Sequence, residues 1–239
     1  MVLGSFVAGV SAAGGGAVAY PALTLLLAAK AHNAKDFSLL IQSVGMTAAS
    51  LLIIYRRIEV EWKVLRLVAL PGVMGVLIGS WYLVPFMNCR SAKLAFGAIW
   101  FAFALALYLV LTTRDYHRRT KVELGNRGGL VLVLTGLCGG MLTACFGSGA
   151  DLSMFSVVVL YFGLCEKVAT PTSVVLMAFL SLVGAFNRLW GVPIEAITLS
   201  RWFACIPIVV CGAPLGAYVC SLLSRNKVDL AVADINMPG

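Results

Sequence analysis

Charged side chains are scarce in this sequence. They make up 12% of its 239 residues, about half the roughly 25% of an ordinary soluble domain, while 61% of the residues are hydrophobic and the mean hydropathy is +0.96. That balance excludes a soluble globular protein. Acids are the scarcer sign, ten Asp plus Glu against eighteen Lys plus Arg, for a formal charge of +8. A membrane protein whose short cytoplasmic loops face anionic lipid carries such an excess with no nucleic-acid partner. Histidine is nearly missing: His32 and His117 are the only two, both in polar stretches read as loops. An intramembrane serine protease then lacks its base, and an H-E-x-x-H zinc site lacks its ligands, so Ser148 is not a nucleophile candidate. No G-x-x-x-x-G-K-[ST] phosphate loop occurs, which argues against an ATP-driven pump in this chain, and no filter-like run of polar repeats marks a channel. The seven cysteines are odd in number and show neither metal spacing nor a disulfide framework. Cys138, Cys145, Cys205, Cys211 and Cys220 lie in apolar runs and read as small packing residues. An enzyme is not expected, and no cofactor or metal.

What is present is apolar sequence in long runs, roughly 2–29, 37–55, 64–87, 94–112, 128–163, 168–190 and 202–222. A simple span needs about 20 residues, so these runs predict about seven membrane segments. The first lacks a basic stretch ahead of it, unlike a secretory signal. The longest polar connection, Arg114 to Arg127, is the expected joint between two halves, residues 1–113 and 128–239. Two runs are too long. At 1.5 Å per residue 2–29 would make a helix of about 42 Å and 128–163 one of about 54 Å, against a hydrocarbon core of about 30 Å. Both contain glycine clusters, Gly14-Gly15-Gly16 and Gly147-Ser148-Gly149. Each is expected to break there, as a re-entrant hairpin or as two half-helices.

The two broken segments resemble each other. Ala13-Gly-Gly-Gly-Ala17 and Phe146-Gly-Ser-Gly-Ala150 are each followed by an apolar run, a polar turn and a span entered through polar residues, Asp36 to Ser38 and Thr170 to Ser173. If every segment crosses once the loops split the basic residues eleven to seven, and with segments one and five as hairpins twelve to six; in both readings the richer side, holding Arg56-Arg57 and the Arg114 to Arg127 linker, is cytoplasmic. With the hairpins the first half crosses an odd number of times, which inverts the second and gives the inverted repeat of many secondary transporters.

Asp36, Arg66, Lys93, Arg188 and Arg201 lie near segment ends, within reach of the interface. Asp151, just after the second glycine break, is the acid placed deepest. A carboxylate there binds a cation, relays a proton, or caps the start of a half-helix beside Ser148. Its depth disfavours the charged form whereas the positive end of a half-helix favours it. Half-helices starting near Gly16-Ala17 and Ala150 would turn free N–H groups toward a buried cavity, a site for an anion. Gln42, Ser43, Thr170, Thr172 and Ser173 could add donors, or serve as caps and interhelical bonds. Pro21, Pro71, Pro171, Pro207 and Pro214 fit kinked helices.

The residues from Gly9 to Leu27 (GVSAAGGGAVAYPALTLLL), from Gly149 to Phe179 (GADLSMFSVVVLYFGLCEKVATPTSVVLMAF) and from Cys211 to Val219 (CGAPLGAYV) resemble the TauE/SafE family of sulfite exporters, a likeness that runs from the start to about Arg225. The resemblance implies a polytopic transporter of two related halves that moves sulfite, sulfonates or related compounds. In two respects the chain departs from the family. The second break reads GSGAD where many members have GxGGG and a proline, and the tail Val228 to Gly239 is too short and too acidic for the final hydrophobic helix many members carry.

The expected protein is therefore all-α, a multi-pass integral protein of the cell membrane. The resemblance implies a secondary transporter of a small sulfur-containing anion, and the residues themselves offer Gly14, Gly15, Gly16, Gln42, Ser43, Gly147, Ser148, Gly149, Thr172 and Ser173 as its substrate-binding groups and Asp151 as the group that couples the movement to protons. Its partners are that anion, protons and the lipid bilayer, with a homo-oligomer open and no nucleic acid. The alternatives are transport of an unrelated small anion or metabolite and a membrane scaffold or sensor that transports nothing.

Overall fold

A backbone taken out of water must bond to itself, so long runs of Leu, Val, Ala and Phe with little interior charge form helices. In the computed structural model, which describes residues 14–26, 30–113, 122, 125–191, 194–212 and 215, every regular element is helical. Helix α1 covers Gly14–Pro21 and continues through a π-helical turn, Ala22–Leu26. Helix α2 is Ala31–Tyr55. Helix α3, Trp62–Ile78, is prolonged by the wider turn Gly79–Leu83 and by Val84–Phe86. Helix α4 is Cys89–Thr113 and α5 is Asn126–Phe146. Helix α6, Ala150–Ser156, runs on through Val157–Tyr161. Helix α7 is Glu166–Gly191 and α8 is Ala196–Gly212.

Among the described residues four helices are long and apolar enough to cross a membrane, His32–Tyr55, Trp62–Phe86, Arg127–Phe146 and Lys167–Gly191, while Ala150–Tyr161 and Ala196–Gly212 are shorter apolar helices. Large apolar side chains such as Leu70, Met74, Phe101 and Phe186 point outward, the face such helices turn to lipid. Exposed aromatics gather at both ends: Tyr55, Trp62 and Tyr161 at one, Trp81, Tyr82 and Trp190 at the other. Trp62 and Trp81 are separated by about 28 Å along α3, close to the roughly 30 Å hydrocarbon thickness that aromatic belts bracket. The chain is thus an integral membrane protein. One of its two ends carries His32 and the other Arg57.

Contacts fix the direction of each helix. Asp36 near the start of α2 binds Arg188 near the end of α7, and Thr172 near the start of α7 binds the backbone of Glu61 beyond the end of α2, so α2 and α7 are antiparallel. Glu195, just ahead of α8, meets Asn33, and on α8 Trp202 donates to the Leu40 carbonyl and Val209 reaches Gly45, so α8 runs parallel to α2. The closest packing joins α3 and α5. A Cβ on Gly140 would stand 2.2 Å from the Gly72 carbonyl oxygen, and one on Gly75 would stand 2.2 Å from that of Leu137. Glycines at Gly72, Gly75, Gly136 and Gly140 thus let two backbones touch, the small-residue contact that replaces the hydrophobic effect within a bilayer.

The polar start of α2 departs from the sequence reading. Hydropathy puts the segment at 37–55, but the helix begins at Ala31, so His32 lies in its first turn and not in a loop. The tail and the linker lie outside the described residues, except for single positions such as Val122, which is buried against the core. Pro21, Pro71 and Pro171 do lie inside helices. Pro214 falls outside the described residues.

Candidate functional site

The second glycine cluster breaks its segment as expected, and it does so as a hairpin. Helix α5 ends at Phe146, Gly147 turns into the left-handed region at φ 79°, and Gly149 at φ 145° starts α6. Both conformations are ones that glycine adopts without the Cβ penalty of other residues. The return arm lies along α5: Gly149 touches Leu142, Ala150 and Ser153 touch Gly139, and Phe162 reaches back to Gly128. Segment five therefore enters and leaves at the Arg57 end. Gly147 sits against α2, where an added Cβ would be 2.7 Å from the backbone nitrogen of Leu39 and 2.8 Å from the Ser38 side chain. That contact lies about 11 Å along α2 from its first residue, toward the His32 end.

Thr143 organises the turn. Its carbonyl accepts the Gly147 N–H at 2.8 Å, its hydroxyl donates to the Gly139 carbonyl at 2.9 Å and accepts the Ala150 N–H at 3.1 Å. Asp151, completely buried, accepts the Gly149 N–H at 3.1 Å through Oδ1. The carboxylate and the threonine thus cap donors at the start of α6. Two buried oxygens, Ser148 Oγ and Asp151 Oδ2, have no hydrogen-bond partner among the described residues. Thr143 carries no motif of its own. The signal for it was its place one helical turn before a glycine break.

A cavity of about 100 Å³ opens beside the break, lined by Ser148, Gly149, Ser153 and Ser156 from the hairpin and by Phe96, Trp100 and Phe103 from α4. Around it runs a chain of rings, with Tyr20 4.9 Å from Phe96, Phe96 5.6 Å from Phe146 and Phe96 5.6 Å from Trp100. A larger open groove, about 520 Å³, lies apart from it at the loop from Arg57 to Trp62.

Near the His32 end of α2 lies a charge cluster that the sequence reading left at the interface. Asp36 is 1% exposed, held by Arg188 through Nε to Oδ1 at 2.8 Å and through Nη2 to Oδ2 at 2.9 Å. His32 Nδ1 stands 3.3 Å from Asp36 Oδ2 while its Nε2 meets the Arg188 guanidinium. An imidazole with its proton on Nδ1 satisfies both contacts. Asp36 and Arg188 are therefore a buried pair, and Asp151 is not the only deeply buried acid. Lys93 likewise turns inward, donating to the Thr24 carbonyl at 3.0 Å, whereas Arg66 and Arg201 are exposed. Removing one partner of a buried pair strands the other charge and costs about 3 kcal/mol or more. Asp36→Leu, which strands both Arg188 and the neighbouring Lys35, is accordingly expected to lower thermal stability by that amount in detergent, and Asp36→Leu combined with Arg188→Met and Lys35→Met to recover much of it. An unchanged melting temperature for the single variant would show that the pair is solvated.

The remaining expected site residues scatter. Gln42 is buried one helical turn from Ser38, on the same side of α2, but Ser43 donates to the Leu40 carbonyl of its own helix. Thr172 donates to the Val168 carbonyl and accepts the Glu61 N–H, and Ser173 donates to Thr170. Met177 is level with Thr143, which leaves Thr172 about 8 Å nearer the Arg57 end. Neither Thr172 nor Ser173 joins the break. Gly14, Gly15 and Gly16 open the described part of α1, and what precedes them, where the expected first break would be completed, lies outside the described residues. Cys145 is buried, Cys205 half-buried, and Cys138 and Cys211 exposed, all as free thiols. Cys220 lies outside the described residues. No group of three His, Cys, Asp or Glu side chains able to hold a metal is found among the described residues.

A multi-pass helical membrane protein with a helix broken at glycines beside a small cavity of serines and aromatic rings has the broken-helix feature of membrane transporters. The family described as Sulfite exporter TauE/SafE matches residues 1–234, and the chain belongs to it. Membership implies membrane transport of sulfur anions such as sulfite, in a family of transporters rather than enzymes. No curated protein and no solved structure gives a match.

Proposed function

We propose that this protein carries a small sulfur-containing anion, sulfite or a sulfonate, across the cell membrane by secondary transport, with the anion bound at the Gly147-Ser148-Gly149 break. The observation that carries the reading is Ser148, a buried hydroxyl without a partner among the described residues at the edge of a cavity formed by a re-entrant hairpin. A buried hydroxyl left unpaired is costly, and an oxyanion would satisfy it. Tyr20 on α1 supports a shared site for both halves, since its ring is 5.9 Å from that of Phe146 just ahead of the break. In this reading Gly14, Gly15 and Gly16 form the matching break, and residues 1–113 and 128–239 are inverted halves. Their antiparallel counterparts α2 and α7 support it, and so does α1, which runs toward the His32 end while α6 runs away from it. Helix α4 and the remaining shorter helices complete about seven segments. Efflux of labelled sulfite, methanesulfonate and taurine from proteoliposomes, with and without a pH gradient, tests the reading. Transport of none of the three would refute it.

Asp151 is proposed to couple the movement to protons, because co-transport of a proton would spare the cavity a net charge. An asparagine in its place retains an oxygen to accept the Gly149 N–H, so the hairpin is expected to persist. Asp151→Asn is expected to bind anion as the native protein does and to lose the dependence of flux on a pH gradient. Unchanged pH dependence would make Asp151 a cap alone.

A further inference from the structure

A second cavity, about 110 Å³, lies on the His32 side of the aromatic chain, and its lining comes from α1, α2, the extension of α3, α4 and α5: Tyr20, Lys35, Val84, Ala92 and Cys145 among others. At about 15 Å³ for each water-sized position it has room for a small oxyanion. His32, half exposed, stands at its mouth.

The charge on its wall is not balanced. Lys35 is buried at 6% exposure, and its only acidic neighbour among the described residues is Asp36, with Nζ to Oδ1 at 3.6 Å. Both oxygens of Asp36 are already taken by Arg188 at hydrogen-bonding distance. Two buried cations therefore share one carboxylate, and no carboxylate lines the cavity among the described residues. A buried ammonium held this way gains from an anion brought within reach.

The cavity beside Ser148 lies just beyond. Tyr20 lines the Lys35 side, Phe96 and Phe146 line the Ser148 side, and the three rings are in mutual contact at 4.9, 5.9 and 5.6 Å. The rings form a partition one residue thick.

We infer that Lys35 is the charge partner of an anion-binding site in this cavity, a waiting position for a small oxyanion separated from the Ser148 site by the Tyr20, Phe96 and Phe146 rings. The inference draws its physiological sense from the transport reading, but binding tests it separately. Isothermal titration of sulfite and of methanesulfonate into the full-length protein in detergent micelles is expected to show binding that weakens about tenfold or more in Lys35→Gln, the loss of one charge-assisted contact. Lys35→Arg is expected to bind nearly as the native protein does. Ala92→Phe, which fills the cavity and leaves the lysine in place, is expected to lose binding as well, so the result does not hang on one variant's folding. Native affinity in both Lys35→Gln and Ala92→Phe, or no binding of either anion by the native protein, would overturn the inference. Binding through Lys35 without flux in proteoliposomes would uphold it and refute only the transport reading.

Discussion

Ser148→Leu is expected to abolish anion flux while leaving a folded, monodisperse protein. The side chain at this position faces a cavity bordered by Phe96, Ile99, Trp100 and Leu152, so leucine has apolar neighbours and space that the hydroxyl does not use. Filling that space removes the volume a substrate would occupy, and it removes one of the two oxygens at the break, the other being Asp151 Oδ2, that the described residues leave unpaired. The backbone is spared, because the left-handed turn is held by Gly147 and Gly149 on either side. Ser148→Ala separates the two effects. It keeps the cavity and deletes the hydroxyl, for an expected loss of about 1 kcal/mol in binding, or some fivefold in affinity. Flux of labelled sulfite in proteoliposomes measures both. Native flux in the leucine variant would show that the hairpin serves packing and that the anion passes elsewhere.

Gly140→Leu is expected to prevent assembly. Its Cβ would lie 2.2 Å from the Gly72 carbonyl oxygen and 2.8 Å from the Val76 backbone nitrogen, and backbone cannot yield as a side-chain tip does. Gly75 and Gly136 make equally close contacts along the same seam, so the two helices must part over several turns. The cost is expected at about 3 kcal/mol or more, the upper range for overpacked sites. Because α5 carries the break at its end, parting α3 from α5 also displaces Gly147 from its seat on α2. Size-exclusion chromatography and thermal unfolding in detergent read the outcome. Gly97→Leu is the control, since nothing lies within 4 Å of a Cβ there, and it is expected to behave as the native protein does. A monodisperse Gly140→Leu protein with native stability would show that the seam is looser than its contacts imply.

Much of the fold was legible in the sequence because a bilayer imposes simple rules. Apolar runs longer than about 20 residues must be helices, and their limits at 64–87 and 168–190 fall within a few residues of α3 with its extension and of α7. The break at Gly147 to Gly149 was legible for a similar reason: a run too long for the membrane with glycines inside it has to turn. What the sequence left open was the manner of the turn. Whether α6 continues across or folds back depends on what α5 presents to it, and Gly139 decides by letting Ala150 and Ser153 lie against it.

The site was less legible. Hydropathy assigns Asp36 and Arg188 to segment ends because each is costly in lipid by itself, yet Asp36 is buried by that arginine 152 positions away. Thr172 and Ser173 looked equivalent to residues near the other break, but the opposed directions of α2 and α7 carry them toward the Arg57 end. By itself the sequence determined that the chain is helical, membrane-embedded and broken at its second glycine cluster, since hydrophobic length and glycine content act locally along one chain. Only the tertiary structure decided which charges are paired, which hydroxyls are spent on their own helices and which face a cavity. Those are fixed by contacts between distant segments, and a linear sequence does not record which of its helices will meet.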